Sequence, residues 1–383
     1  MSAADGDLRG RLIADIRSRR EEFEDAGERA EELRTLPPDT VGTLRDLGAF
    51  WLKTPEELGG TPLHPVEFCD VIEELAYADT STAWACIIGN GCAGMVAGWL
   101  PEAGVRRVFP PGGPLPIVAG QPQPRGTGRA VEGGYVVSGR WSFASGILHS
   151  GWVMGAFRLE SGGHRMLVFV IPKDQAEVID NWHVAGLQGT GSPDFSVNDV
   201  FVPEDQTYDV TARAVRGGDL FRQELHLLVS NEVPPLCVGL ARRALDDMTE
   251  LASHTARFRG GATLSERAVF HKELGRAEAK LKAARLLHRD AVATAYEAAR
   301  TGNGAASGPR TAVAAASVFA VETCAEVVTD LFRYGGGRVL MLSNPMQRHL
   351  RNALAARQHL AVTEEHYETA GRERIQSAKS RLG

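Results

Sequence analysis

The sequence predicts an α+β protein in three successive parts: a helical segment over 1–115, a small β-rich segment over 116–210 and a C-terminal four-helix bundle over 211–383. Three observations lead there. Apolar residues recur at helical spacing through the first hundred positions. The run Pro110-Pro111-Gly112-Gly113-Pro114 is the clearest linker, and short strand-like runs between Gly and Pro turns follow it. Four long helical periodicities then fill the rest. Helices, then strands, then helices is not the alternation that a doubly wound sheet requires.

Leu8, Leu12, Ile13 and Ile16 open an amphipathic helix whose charged continuation runs to about Arg34. Pro37-Pro38 stops it, and Asp39 is an expected N-cap for a short helix ending at Gly48. Helical spacing returns over Pro65–Tyr77 and Ser81–Leu100, with Asp79 and Thr80 as the break. Within the β segment, Glu132-Gly133-Gly134 is a hairpin turn, and strands are expected at Ile117–Ala119, Tyr135–Arg140, Trp152–Arg158, Arg165–Ile171 and Ser196–Val202. The long helices are expected at about Leu220–Ala252, Ser265–Arg300, Thr311–Phe332 and Pro345–Gly371, an antiparallel bundle.

Composition narrows the function. A formal net charge of −6 argues against a nucleic-acid or anionic-membrane partner, which requires a basic face. The five cysteines are odd in number and lack C-x-x-C spacing, so neither a disulfide framework nor a zinc site is expected. The N-terminus shows no basic region followed by an apolar core, and no apolar run reaches a membrane span, so a cytoplasmic location is expected. Gly335-Gly336-Gly337, Gly260-Gly261 and Gly126-Thr127-Gly128 do not open a strand-to-helix turn, so the chain is not expected to hold a nicotinamide dinucleotide.

The most informative stretch runs from Gly139 to Trp152, between two expected strands. Gly146 permits close backbone approach, Trp141, Phe143 and Trp152 supply rings, and Ser145 supplies a hydroxyl. On these residues alone it is either a turn lined by core aromatics or a site for a flat ligand. Its W-x-F-x-S-G form resembles the flavin-facing strand of the acyl-CoA dehydrogenase superfamily, closest to the group D two-component flavin-dependent monooxygenases. Asp79-Thr80-Ser81-Thr82-Ala83-Trp84, Gly189-Thr190-Gly191-Ser192 with Asp199 to Pro203, and Gln347-Arg348-His349-Leu350-Arg351-Asn352-Ala353 with His359 resemble three further motifs of that branch, in order.

The resemblance implies an enzyme that takes reduced FMN or FAD from a separate NAD(P)H:flavin reductase. With O₂ as co-substrate, it hydroxylates an aromatic or heteroaromatic small molecule through a C4a-hydroperoxyflavin. It also implies a homotetramer. Catalytic roles fall to His359, as the base, and to Ser145. The flavin contacts fall to Trp141, Phe143, Ser145, Gly146, Thr190 and Ser192, with Arg257 or Arg259 reaching a phosphate of the flavin of a neighbouring subunit. Trp84, Asn90 and His149 are the expected substrate contacts, and no metal is expected, since Thr363 breaks an H-x-x-x-H spacing. Asn352, His359 and His366 are expected on one helical stripe.

Two alternatives stay open. In an acyl-CoA dehydrogenase, a carboxylate commonly stands nine residues past the motif arginine, where this chain has Leu360; Glu232 or Glu250 could supply it from an earlier helix. A non-catalytic binding or scaffold protein on the same fold is the other. The chain also carries Asn90 where the monooxygenases often have a histidine, and an amide can hydrogen-bond but cannot titrate.

Overall fold

A computed structural model describes residues 7–161, 166–229, 232–254, 263–302 and 307–382. Helices α1 (Leu8–Ser18) and α2 (Arg20–Leu33) replace the single expected helix, because Arg19 leaves helical geometry at φ −108°; the buried stripe of Leu12, Ile16, Phe23 and Ala30 continues across the break. In α3 (Pro38–Asp46) the cap is Pro37 rather than Asp39, whose carboxylate sits in the first turn and pairs with Arg29 at 2.9 Å. Helices α4 (Pro65–Ala78) and α5 (Thr80–Trp99) meet at Asp79, which accepts a hydrogen bond from Thr82 N at 2.7 Å. Almost every residue of α5 is buried, and so its sequence is apolar all round. Helix α6 (Glu102–Val108) precedes the linker.

Among the described residues one seven-stranded sheet follows: β1 (Val118–Val131), β2 (Gly134–Trp141), β3 (Trp152–Leu159), β4 (Met166–Pro172), β5 (Glu177–Ile179), β6 (Asp194–Pro203) and β7 (Thr207–Tyr208), in the order β5-β6-β2-β1-β3-β4-β7. β1 and β2 form the expected hairpin, with Gly133 at φ +77° in the turn, whereas β3 lies parallel to β1 on its other side. The connection from β2 to β3 therefore crosses the end of β1 instead of turning back on itself. That crossing carries Ser145.

Side chains alternate across the sheet. Val118, Met154, Val168 and Val170 join the helical core, while Ala119, Val153, Phe157, Phe169 and Ile171 form a second core with Trp141 and Phe195.

The C-terminal part comprises α7 (Leu225–Val229), α8 (Val233–His254), α9 (Ala268–Arg300), α10 (Ser307–Phe332), α11 (Pro345–Ala356) and α12 (Glu365–Leu382). Pro234 and Pro235 fix the start of α8, since proline is tolerated in a first turn but not inside a helix. α10 packs against α8, α9, α11 and α12, which accounts for its apolar sequence. The last expected helix is two: residues 357–364 form turns between α11 and α12. His359 therefore lies off the helix, and the stripe of Asn352, His359 and His366 does not exist.

α4 is clamped electrostatically. Its buried carboxylates meet arginines of three other helices: Asp70 with Arg9 at 2.7 Å, Glu74 with Arg17 at 2.9 Å, and Glu73 with Arg242 at 2.7 Å and Arg289 at 2.6 Å. A buried charge is tolerated only when paired in this way.

Buried histidines set the acid limit of this fold. Burial pushes the imidazole of His288 on α9 down to about 3, with Arg289 adding to the effect, and burial pushes that of His149 down to about 4, helped by Lys173. The unfolded chain protonates these rings first, so stability falls as pH drops from about 6.5 towards 4. Between pH 7 and 5 each such ring costs about 2 kcal/mol. The His288→Gln variant should lose less stability over that interval than the parent, read from urea midpoints at both pH values; equal losses would remove His288 from the account.

Candidate active site

The crossover between β2 and β3 is tied to the 187–193 segment by its backbone: Ala144 N donates to Pro193 O at 3.2 Å and Gly146 N to Gly191 O at 3.0 Å. Gly146 stands at φ +79°, a conformation that favours glycine, and a Cβ there would lie a tight 3.0 Å from His149 Nε2. Phe143 also has a positive φ, +63°; its ring is 69% exposed and meets the edge of Trp182 at 6.2 Å.

Ser145 is the middle of a buried polar chain. Trp84 Nε1, from α5, donates to Ser145 Oγ at 3.1 Å. Ser145 Oγ bonds Ser192 Oγ at 2.7 Å, Ser192 Oγ bonds Thr190 Oγ1 at 2.6 Å, and Thr190 Oγ1 donates to Leu187 O at 2.9 Å. Leu187 N in turn donates to Asn352 Oδ1 of α11 at 2.7 Å. Beside this link, Arg351 donates to Ala185 O at 2.6 Å and pairs with Glu31 of α2 at 3.0 Å. The 185–192 segment is thus held by helices from both ends of the chain.

Trp84 also meets His359, with ring centroids 5.5 Å apart and planes at 79°. His359 sits in the turn after α11, partly buried, and burial pushes its pKa down to about 4, so the ring is neutral at pH 7. Ala361 N donates to its Nδ1 at 3.3 Å, which leaves the proton of the neutral ring on Nε2.

Trp84, Ser145, Thr190, Ser192 and His359 are brought together, with Phe143 and Gly146 on the same crossover. Trp141 is not available to a ligand and corrects the sequence reading: it is fully buried in the second core, stacked on Phe195 at 5.1 Å, with Nε1 donating to Ala156 O at 2.9 Å. Strand alternation turns it to the opposite side. Asn90 and His149 adjoin the 49–50 segment: Asn90 spends its amide hydrogens on Ala49 O and Cys86 O, at 2.7 and 2.8 Å, and the His149 ring lies 6.1 Å from Phe50. Asn90 Oδ1 and both nitrogens of His149 are buried without a partner, so these groups still have hydrogen-bonding capacity to offer. Arg257 and Arg259 lie outside the described residues. Trp182 was not foreseen; it stands in an irregular segment where no periodicity marks it.

A flat, heteroatom-bearing ring system suits this arrangement. Phe143 offers an exposed face, Ser145 a buried hydroxyl, and Gly146 a backbone that can be approached closely. Family models for the acyl-CoA dehydrogenase N-terminal domain and C-terminal domain match residues 17–111 and 234–364, together more than half of the chain. The chain belongs to the acyl-CoA dehydrogenase family.

Within that family, the chain is 27% identical to the indole-3-acetate monooxygenase of Pseudomonas putida, over 88% of this chain and 87% of the relative. It is 29% identical to the FADH(2)-dependent resorcinol hydroxylase oxygenase component of Rhizobium sp., over 92% and 90%. The crystal structure of 3-HSA hydroxylase from Rhodococcus sp. RHA1 superposes with a TM-score of 0.88 at 25% identity, covering 95% of this chain and 96% of that one. The acyl-CoA dehydrogenase fold, helical at both ends with a central sheet, is thus shared with oxygenases.

The Asn352 link is expected to be structurally costly to remove. In Asn352→Ala the buried Leu187 N–H loses its acceptor, a loss of about 1–3 kcal/mol. Urea unfolding at pH 7.5 measures it, and a change below the error of the method would mean that the Asn352 bond adds nothing to the other contacts that hold the segment.

Proposed function

We propose that this chain is the oxygenase component of a two-component flavin-dependent monooxygenase, hydroxylating an aromatic or heteroaromatic small molecule with O₂ and reduced FMN or FAD made by a separate NAD(P)H:flavin reductase. One observation carries the reading: the Trp84 indole spans from Ser145, the residue set against the flavin by resemblance, to His359, the residue cast as base. The named functions of the relatives support it.

Reduced flavin, when bound, would supply the electrons that activate O₂. Phe143, Ser145 and Gly146, with Thr190 and Ser192 behind them, are the residues that would hold its ring. His359 is neutral at working pH and accepts a proton from the substrate's ring hydroxyl or N–H, which makes the ring carbon more nucleophilic. Taking that proton at Nε2 requires the weak Ala361 bond to be exchanged and the ring's own proton to move to Nδ1. Trp84 fixes the ring's position by its T-shaped contact and, with the rest of buried α5, excludes water.

Among the described residues, the positions considered for a dehydrogenase base offer no carboxylate that is both buried and unpaired. Leu360 occupies the expected position and is exposed, Glu250 is exposed on α8, and Glu232 is buried against Lys53 at 2.5 Å, with its pKa pushed up to about 7 by burial. A homotetramer belongs to the same reading, supported by apolar side chains left exposed in the C-terminal part, among them Leu340, Met341, Leu342 and Leu354. A cytoplasmic location is supported by five cysteines that are all free thiols.

The His359→Asn variant should bind reduced flavin nearly as well as the parent while turnover falls roughly 10²- to 10⁴-fold, the contribution of a general base. Because burial holds His359 near 4, the acid limb of turnover in the parent should lie well below pH 6.5, with activity lost only as the ring becomes charged. Unchanged turnover in the variant at every pH would make His359 structural.

The purified protein should not oxidise NADH or NADPH with flavin on its own, and should turn over substrate once a reductase is added. Rapid NADH consumption in a preparation free of contaminating reductase would overturn the two-component reading.

A further inference from the structure

The hydrogen-bond chain through Ser145 has a fixed direction. At one end, the Trp84 indole N–H can only donate; at the other, the Leu187 carbonyl can only accept. Between them stand three hydroxyls, each with a single hydrogen. Thr190 spends its hydrogen on Leu187 O, so Ser192 must donate to Thr190, and Ser145 must donate to Ser192. One arrangement of protons satisfies every bond. All three residues are buried, with exposures of 5%, 2% and 1% for Ser145, Ser192 and Thr190, so the chain is largely shielded from solvent.

Ser145 is therefore left with no hydrogen to give. It can only accept. A ligand group that donates to Ser145 Oγ leaves the chain intact, whereas one that needs a proton from it reverses three hydroxyls. That reversal strands Leu187 O without Thr190 Oγ1, and only the longer bond from Thr190 N, 3.2 Å, remains to that carbonyl.

We propose that Thr190 and Ser192 determine which redox state of flavin this site prefers, by holding Ser145 as a hydrogen-bond acceptor. The proposal rests on the flavin reading above. The superfamily resemblance puts Ser145 beside the flavin near N5, and the two redox states differ there: N5 bears a hydrogen when reduced and a bare lone pair when oxidised. A serine that only accepts matches the reduced form. The oxidised form must either go without that hydrogen bond or break the buried chain. Neither Thr190 nor Ser192 needs to touch the flavin for this, so both are positioning residues that act through Ser145.

The test is binding, not turnover. Dissociation constants of FMN and of FAD are measured for both redox states, oxidised in air and photoreduced under anaerobic conditions. Wild type should bind the reduced form more tightly. In Thr190→Val, Ser192 has no acceptor beyond it and can turn to Ser145, freeing the Ser145 hydroxyl to donate; the reduced-to-oxidised preference should fall roughly 2- to 10-fold, the factor that one net hydrogen bond is worth. Ser192→Ala should do the same by a different cut in the chain, and Thr190→Ser, which keeps the hydroxyl, should restore the wild-type ratio. Tight flavin binding with an unchanged ratio in both Thr190→Val and Ser192→Ala would overturn the proposal and leave the monooxygenase reading standing. Failure of wild type to bind either flavin in either state would overturn both.

Discussion

The buried polar chain from Trp84 to Leu187, continued by Leu187 N to Asn352, is the constraint on which the rest of the site depends. It joins α5, the β2–β3 crossover, the 187–192 segment and α11, which are far apart in sequence. Inside a protein such a network is high-stakes: fully paired it fixes one arrangement, and half-paired it costs more than an apolar core. Every member here is paired. Ser145 is consequently placed relative to Trp84 by a hydrogen bond, and through the ring contact of Trp84 relative to His359, rather than by loop conformation alone.

The surroundings reinforce the same geometry. Arg351 and Glu31 clamp the 185–192 segment from α11 and α2, and the Asp70, Glu73 and Glu74 cluster ties α4 to α1, α8 and α9. A flexible site would not hold three hydroxyls in one proton order. The buried Lys53–Glu232 pair adds a second fixed point beside Gly91 of α5, and its position explains why Glu232 is committed to structure and not free to serve as a dehydrogenase base.

Much of this was legible in the sequence, for identifiable reasons. The order of helices and strands followed from periodicity, and the motif residues Trp84, Ser145, Thr190, Ser192 and His359 do converge. Four features were not legible. Alternation along β2 fixes that Trp141 and its neighbours face opposite sides, but not which side meets a ligand, so Trp141 was assigned to the wrong face. Helical spacing runs on past Ala356, and no proline or glycine marks the turns that take His359 off the helix. The bond from Asn352 to Leu187 spans 165 residues and has no spacing that could announce it. The β2–β3 crossover was likewise hidden, because strand pairing depends on which neighbour β1 takes on its second edge.

In the reading proposed above, what separates this site from a dehydrogenase is the pairing of the neutral, partly buried imidazole of His359 with Ser145, in the place of a carboxylate. The most direct test of that claim is to mix the protein, loaded anaerobically with reduced FMN or FAD, with oxygenated buffer and follow the absorbance in time. The account predicts a transient spectrum distinct from both reduced and oxidised flavin, decaying more slowly than the reoxidation of free flavin. Reoxidation in one phase, at the rate of free flavin with no intermediate spectrum, would contradict it.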